Sequence, residues 1–225
     1  VNRKLDPMLN PKGVIRECRD SEEHPNTIPI TLAIDVTGSM NTAAMEVASK
    51  LNPIISDLYE RYEDVQICVM GIGDLAYDRA PIQISQFESD IRIAEQLDKI
   101  YFEGKGGGNG FESYSAAWYY GLRHMDLDCW KRGKKGIIIT TGDELLNPHL
   151  PCYQLSAVSG DGNEADIETK DLYKAASEKF DIYHIAVDDP RTSYYYYKER
   201  INKSFGSVLP SGHLKVSTMD SLAKT

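Results

Sequence analysis

The chain has 225 residues, 41% of them hydrophobic and 26% charged, and its 25 Lys+Arg against 34 Asp+Glu give a net charge of -9. That length gives one domain a full core, and the composition is that of a globular protein. No apolar run approaches the roughly 20 residues of a membrane span, and the acidic balance opposes phosphate-backbone binding as the main role.

The opening VNRKLDPMLNPKG is polar and lacks the apolar centre of a signal peptide. Its start at Val leaves room for a preceding segment. Residues 1–27 include CRDSEEHPNT, show no sustained apolar period, and read as an irregular N-terminal extension to a domain spanning 28–225. IPITLAID (28–35) is a short β-branched run suited to a strand buried on both faces. Ala44, Val47, Ala48, Leu51, Ile55, Leu58 and Tyr62 then recur at helical steps, with Pro53 inside the pattern. VQICVMGIG (65–73) predicts a second buried strand, and PIQISQF (81–87) an edge strand or hairpin partner. Residues 89–101 predict a helix, EGKGGGNGF a glycine-rich loop, and 112–126 a helix bearing Tyr114, Ala117, Trp118, Leu122 and Met125. GIIITT (136–141) is the clearest strand. After it, GDELLNPHLPCYQLSAVSGDGNE reads as a long functional loop. Helix 168–180, strand 181–189, helix 192–203 and strand 213–218 complete the series, and MDSLAKT reads as a helix cut short.

Strands alternating with helices predict an α/β fold with a mostly parallel sheet. Cys18, Cys68, Cys129 and Cys152 are scattered and form no CxxC pair, which argues against zinc and leaves a reducing cytoplasm as the expected compartment. In such a fold ligands bind beyond the carboxyl ends of the strands. Three segments carry side-chain oxygens there: Asp35-Val-Thr37-Gly-Ser39, the loop from Gly106 through Asn109 to Glu112, and Thr140-Thr141-Gly142-Asp143-Glu144. Carboxylate, hydroxyl and amide oxygens are hard donors, so Asp35, Thr37, Ser39, Asn109 and Asp143 form a candidate set for a divalent cation. Mg²⁺ is the first expectation, with Mn²⁺ and Ca²⁺ as alternatives. Two carboxylates with several neutral hydroxyls leave a divalent ion electrophilic enough to accept a carboxylate from another molecule.

DVTGSM (35–40), in this context, resembles the D-x-S-x-S motif of von Willebrand factor A-type (vWA) domains and their metal-ion-dependent adhesion site, with threonine in place of the first serine. The resemblance extends over about 28–220. It implies a three-layer, Rossmann-like fold with a mostly parallel six-stranded sheet and one short antiparallel edge strand at 81–87. The family's second loop usually supplies threonine after two glycines, where this chain has Asn109 after GGG. Its third loop usually reads T-D-G, where this chain reads T-G-D. Both departures resemble an intracellular subset with a GGGD-x-x-E loop and a later G-D…H segment, in which Glu112 and His149 take the places of the acid and the histidine. The implied role is a protein-interaction module, within an intracellular multiprotein assembly, that binds a partner's Asp or Glu through the cation.

Each motif also has a plainer reading. DxTxS can be a helix N-cap, Asn109 can hold a left-handed turn, Glu112 can be a first-turn acid, and His184 can be a core residue. Asp188, Asp189 and Asp74 could shape the rim of the site, though capping explains them too. Tyr194–Tyr197 point nearly all round a helix, so some must be exposed or meet another chain. The alternative function is a metal-dependent hydrolase with His149 or Glu112 as base. A nucleic-acid role would rest on the local cluster KRGKK (131–135).

Overall fold

The computed structural model describes residues 4–38, 40–62, 64–89, 92–103 and 109–225. In chain order the strands and helices are β1 (Arg16–Cys18), β2 (Ile28–Asp35), α1 (Asn41–Arg61), β3 (Val65–Ile72), β4 (Ile82–Ile84), α2 (Arg92–Asp98), β5 (Phe111–Glu112), α3 (Ser115–Arg123) and β6 (Met125–Leu127). They continue with β7 (Gly136–Gly142), β8 (Leu145–Leu146), β9 (His149–Leu150), α4 (Cys152–Ser159), β10 (Ile167–Glu168), α5 (Thr169–Ala176), β11 (Phe180–Val187), α6 (Ser193–Gly206) and β12 (Leu214–Ser217). Short 3-10 turns cover Pro7–Leu9, Asp128–Arg132 and Met219–Lys224.

The central sheet has six strands in the order β12-β11-β7-β2-β3-β4. All neighbours are parallel except β4, which runs antiparallel to β3 with Ile84 opposite Met70. The expected α/β fold with one antiparallel edge strand is therefore present. β2 and β3 are apolar almost throughout because a parallel sheet with crossover helices is buried on both faces. On one face Trp118 and Tyr120 of α3 and Phe205 of α6 pack with Ile138, Phe180 and Ile182. On the other, Ile55 of α1 and Ile93 and Leu97 of α2 pack with Ile30, Leu32, Ile67 and Val69. The chain leaves β2 toward β3 on one side and later places β7 on the other. Strand order reverses there, and the crevice beyond Asp35 is the topological switch point.

Two stretches differ from expectation. The N-terminal arm is tied to the body: β1 pairs in parallel with β6, and Cys18 is buried in the core. The buried Arg16 guanidinium donates to the carbonyls of Met8 and Ile84 at 2.9 and 2.8 Å. Three residues of strand are too few to show a period. The stretch expected to be a long loop contains β8, β9 and α4, and the strands pair with β5 and β10. α4 buries only Leu155 and Ser159, so it carries no apolar stripe to announce it.

Candidate functional site

β2 delivers Asp35 to the crest of the sheet with no solvent exposure. The chain then turns so that the Thr37 backbone N–H and hydroxyl both donate to Asp35 Oδ1, at 2.9 and 2.6 Å. Tyr114, beside the start of α3, donates its hydroxyl to Asp35 Oδ2 at 2.7 Å. The backbone N–H of Asp143 supplies a further bond to the same carboxylate. Burial pushes the Asp35 carboxyl up, and these donors pull it back down.

The Tyr114 hydroxyl also accepts from the Glu144 backbone N–H at 3.2 Å, which fastens the turn after β7 to the same point. Gly142 makes this possible. A Cβ there would collide with the Tyr114 hydroxyl and ring, so the order T-G-D places a glycine where the phenol crosses the strand end.

Asp143 is fully buried, and its Oδ2 accepts from the Ser193 backbone N–H at 2.6 Å. The Ser193 hydroxyl donates to Glu144 Oε1 at 2.6 Å. Both acids thus meet the first turn of α6, where free N–H groups and the helix dipole favour negative charge.

Glu112 is 2% exposed and its Oε2 has no hydrogen-bond partner. Burial first, then the charges of Asp35, Asp78, Asp74 and Glu144, push its carboxyl up to about 11. Asp78 rises to about 6, mainly from burial and then from Glu103, Asp74 and Asp35. Burial also raises Asp74 and Glu144. The crest therefore gathers carboxyl groups under one another's negative field.

A hard cation suits this donor set: buried carboxylate and hydroxyl oxygens surrounded by negative charge, with an orphaned carboxyl oxygen on Glu112. Among the described residues, no three His, Cys, Asp or Glu side chains stand together as an ion's ligands. A site here would have to draw on hydroxyls as well.

Of the expected ligands, Asp35 and Thr37 are in direct contact, and Asp143 touches Asp35 through its backbone. Asn109 is exposed, and its Oδ1 accepts from the Phe111 N–H at 2.9 Å. Its side chain also bonds to Asp74. The left-handed position in that turn is held by Gly110 at φ +72°. Ser39 and Gly106–Gly108 lie outside the described residues. His149 sits in the β9–β10 ribbon, its side chain 43% exposed and 3.6 Å from Asp166.

His184 is buried beneath the crest. It bonds to the Thr140 hydroxyl at 2.8 Å and stacks on Phe205. Asp188 and Asp189 pair with Lys198 and Arg191. Tyr194 is buried and bonds to Asn202, whereas Tyr195, Tyr196 and Tyr197 are exposed. Sequence reasoning missed two groups, the Tyr114 hydroxyl and the Ser193 amide, because neither residue carries a local signal of its role.

No family model matches the chain, and no curated protein matches it. Solved structures do. The pilus adhesin SpaC from Lactobacillus rhamnosus GG superimposes with a TM-score of 0.58 at 13% identity, over 95% of this chain and 30% of that one. Proximal thread matrix protein 1 from the mussel byssus gives 0.52 at 14% identity, over 88% of this chain and 43% of that one. The likeness to these two structures is one of fold. The VWA domain of SpRpn10 also matches, more weakly, with a TM-score of 0.46 at 10% identity, over 85% of this chain and 87% of that one. The chain spans less than half the length of the first two proteins, and likeness at this identity concerns the fold alone.

Proposed function

We propose that this chain is a protein-interaction module whose crest holds one divalent cation, Mg²⁺ first, and through it binds an Asp or Glu carboxylate of a partner protein. Asp35, Thr37, Ser39, Asn109 and Asp143 would supply its oxygens, directly or through water. When bound, the ion supplies an electrophilic centre for the visiting carboxylate.

The observation that carries this reading is Asp35 itself. It is a fully buried carboxylate at the switch point, in contact with the Thr37 hydroxyl, and it stands in a field of further carboxyl groups. Burying several acids together is costly without a counter-charge, and a cation there would offset that cost. The name of one fold neighbour, a pilus adhesin, agrees with a binding role. Four free cysteines fit a reducing compartment and an intracellular assembly. Among the described residues, no helix is long and apolar enough to cross a membrane.

The hydrolase reading has less support: His149 stands 3.6 Å from Asp166 in the β9–β10 ribbon, and burial raises the Glu112 carboxyl. The test is calorimetric titration of MgCl₂ and MnCl₂ into the wild type and Asp35→Ala, followed by titration of a Glu-containing peptide. One saturable site, lost in the variant and required for the peptide, is expected. Equal binding by folded Asp35→Ala would refute the proposal.

A further inference from the structure

The segment that leads into β1 is held to the body by a histidine. His124 directly follows α3, is 3% exposed, and reaches two separate stretches of chain. Its Nδ1 lies 2.8 Å from the Val14 carbonyl, and its Nε2 lies 2.8 Å from Asp161 Oδ2 in the loop after α4. Backbone bonds run alongside: the Gly13 N–H donates to the Ser159 carbonyl and the Arg16 N–H to the His124 carbonyl, both at 2.8 Å. The end of α3, the loop after α4 and the approach to β1 therefore meet at one imidazole.

A carbonyl only accepts hydrogen bonds, and so does an ionised carboxylate. Burial pushes the Asp161 carboxyl up, but donation from the Tyr119 hydroxyl and from His124 outweighs it and holds the group below its ordinary value, with Arg123 adding to the pull. Asp161 is thus a carboxylate at neutral pH. A neutral imidazole has one N–H and one bare nitrogen, so it can serve one of these two acceptors and must turn a lone pair on the other. Only the imidazolium serves both. The C-terminal end of α3 also favours a cation at this place. Tyr119 and Tyr120 face the ring from α3, and burial above all raises both hydroxyls, so they stay neutral.

We propose that His124 is a proton-operated clamp on residues 13–16. Doubly protonated, it ties the Val14 carbonyl to Asp161. Imidazole exchanges its second proton near neutral pH. As pH rises, the Nδ1 proton passes to solvent, the stronger charge-assisted bond from Nε2 to Asp161 is kept, and the Val14 carbonyl is let go. The device is separate from the cation crest.

Two measurements on the 225-residue chain test the clamp. The long-range ¹⁵N NMR spectrum should show both His124 ring nitrogens protonated at pH 6.0. Hydrogen exchange read by mass spectrometry, corrected for the effect of pH on an unprotected amide, should show protection of residues 13–18 falling at least 10-fold from pH 6.0 to 8.5. Protection of β2 should change less than 2-fold. His124→Gln has no ring proton to lose, and Asp161→Asn removes the charge that holds the second one, so each should show less than a 3-fold change at residues 13–18. If His124→Gln fails to fold by circular dichroism, Asp161→Asn decides. His24, 3.2 Å from Asp64, is present in both variants and cannot account for the difference. Three results would overturn the proposal: a bare ring nitrogen on His124 at pH 6.0, protection of residues 13–18 that does not fall between pH 6.0 and 8.5, or a fall of wild-type size in Asp161→Asn.

Discussion

Replacing Tyr114 by Phe removes one oxygen from the centre of the crest and leaves the ring in place against His184 and Phe205. Two bonds are lost: the 2.7 Å donation to Asp35 Oδ2 and the 3.2 Å acceptance from the Glu144 N–H. A hydrogen bond to a charged group contributes about 1.5–3 kcal/mol and a neutral one about 1 kcal/mol. Tyr114→Phe should therefore destabilise the cation-free protein by roughly 2–4 kcal/mol, or about 5–15 °C in melting temperature for a chain of this size. Urea unfolding at pH 7.5 in chelator measures it, with an unchanged slope expected. Saturating Mg²⁺ should recover part of the loss, because the ion gives the stranded Asp35 oxygen a new partner. A loss below about 0.5 kcal/mol, typical of a surface change, would show that the phenol does not organise this site.

Gly142→Ala should cost at least as much as Tyr114→Phe in a thermal melt, since the added carbon meets both the phenol oxygen and the ring. His184 makes stability fall in acid. Burial holds its folded pKa at about 3 against about 6.5 unfolded, so below pH 6.5 only the unfolded chain gains the proton. The loss is about 1.4 kcal/mol per pH unit, or about 2 kcal/mol by pH 5. Urea midpoints of His184→Leu at pH 7.5 and 5.0 should show the smaller acid sensitivity by that amount. Arg16→Met removes the donor to the Met8 carbonyl and to the buried Ile84 carbonyl and should cost roughly 1–3 kcal/mol. It should also expose residues 1–27 to limited proteolysis.

The elements legible in the sequence were those with a strong local pattern. IPITLAID and GIIITT became β2 and β7, and the short alternating PIQISQF gave the antiparallel β4. Asp35 and Thr37 were legible because strand, acid and hydroxyl follow one another directly between Ile28 and Thr37. Tyr114 was legible only as one member of a helical apolar stripe. Its hydroxyl acquires a role when β2, β7 and α3 converge, which no local window contains. Glu112 read equally well as a first-turn acid. Its burial beside Asp35 depends on the pairing of β5 with β8, a two-residue contact too short to leave a period. β1, three residues long, escaped for the same reason, and α4 escaped because it buries only Leu155 and Ser159.

The most direct measurement of the central claim is a crystal structure grown with MnCl₂ and read by anomalous scattering. The account predicts one peak at the crest, about 2.0–2.6 Å from the Thr37 hydroxyl oxygen, between Asp35 and Asp143 and absent from Asp35→Ala crystals. A crest without manganese at saturating concentration, with Thr37 and Tyr114 still bonded to Asp35, would contradict it.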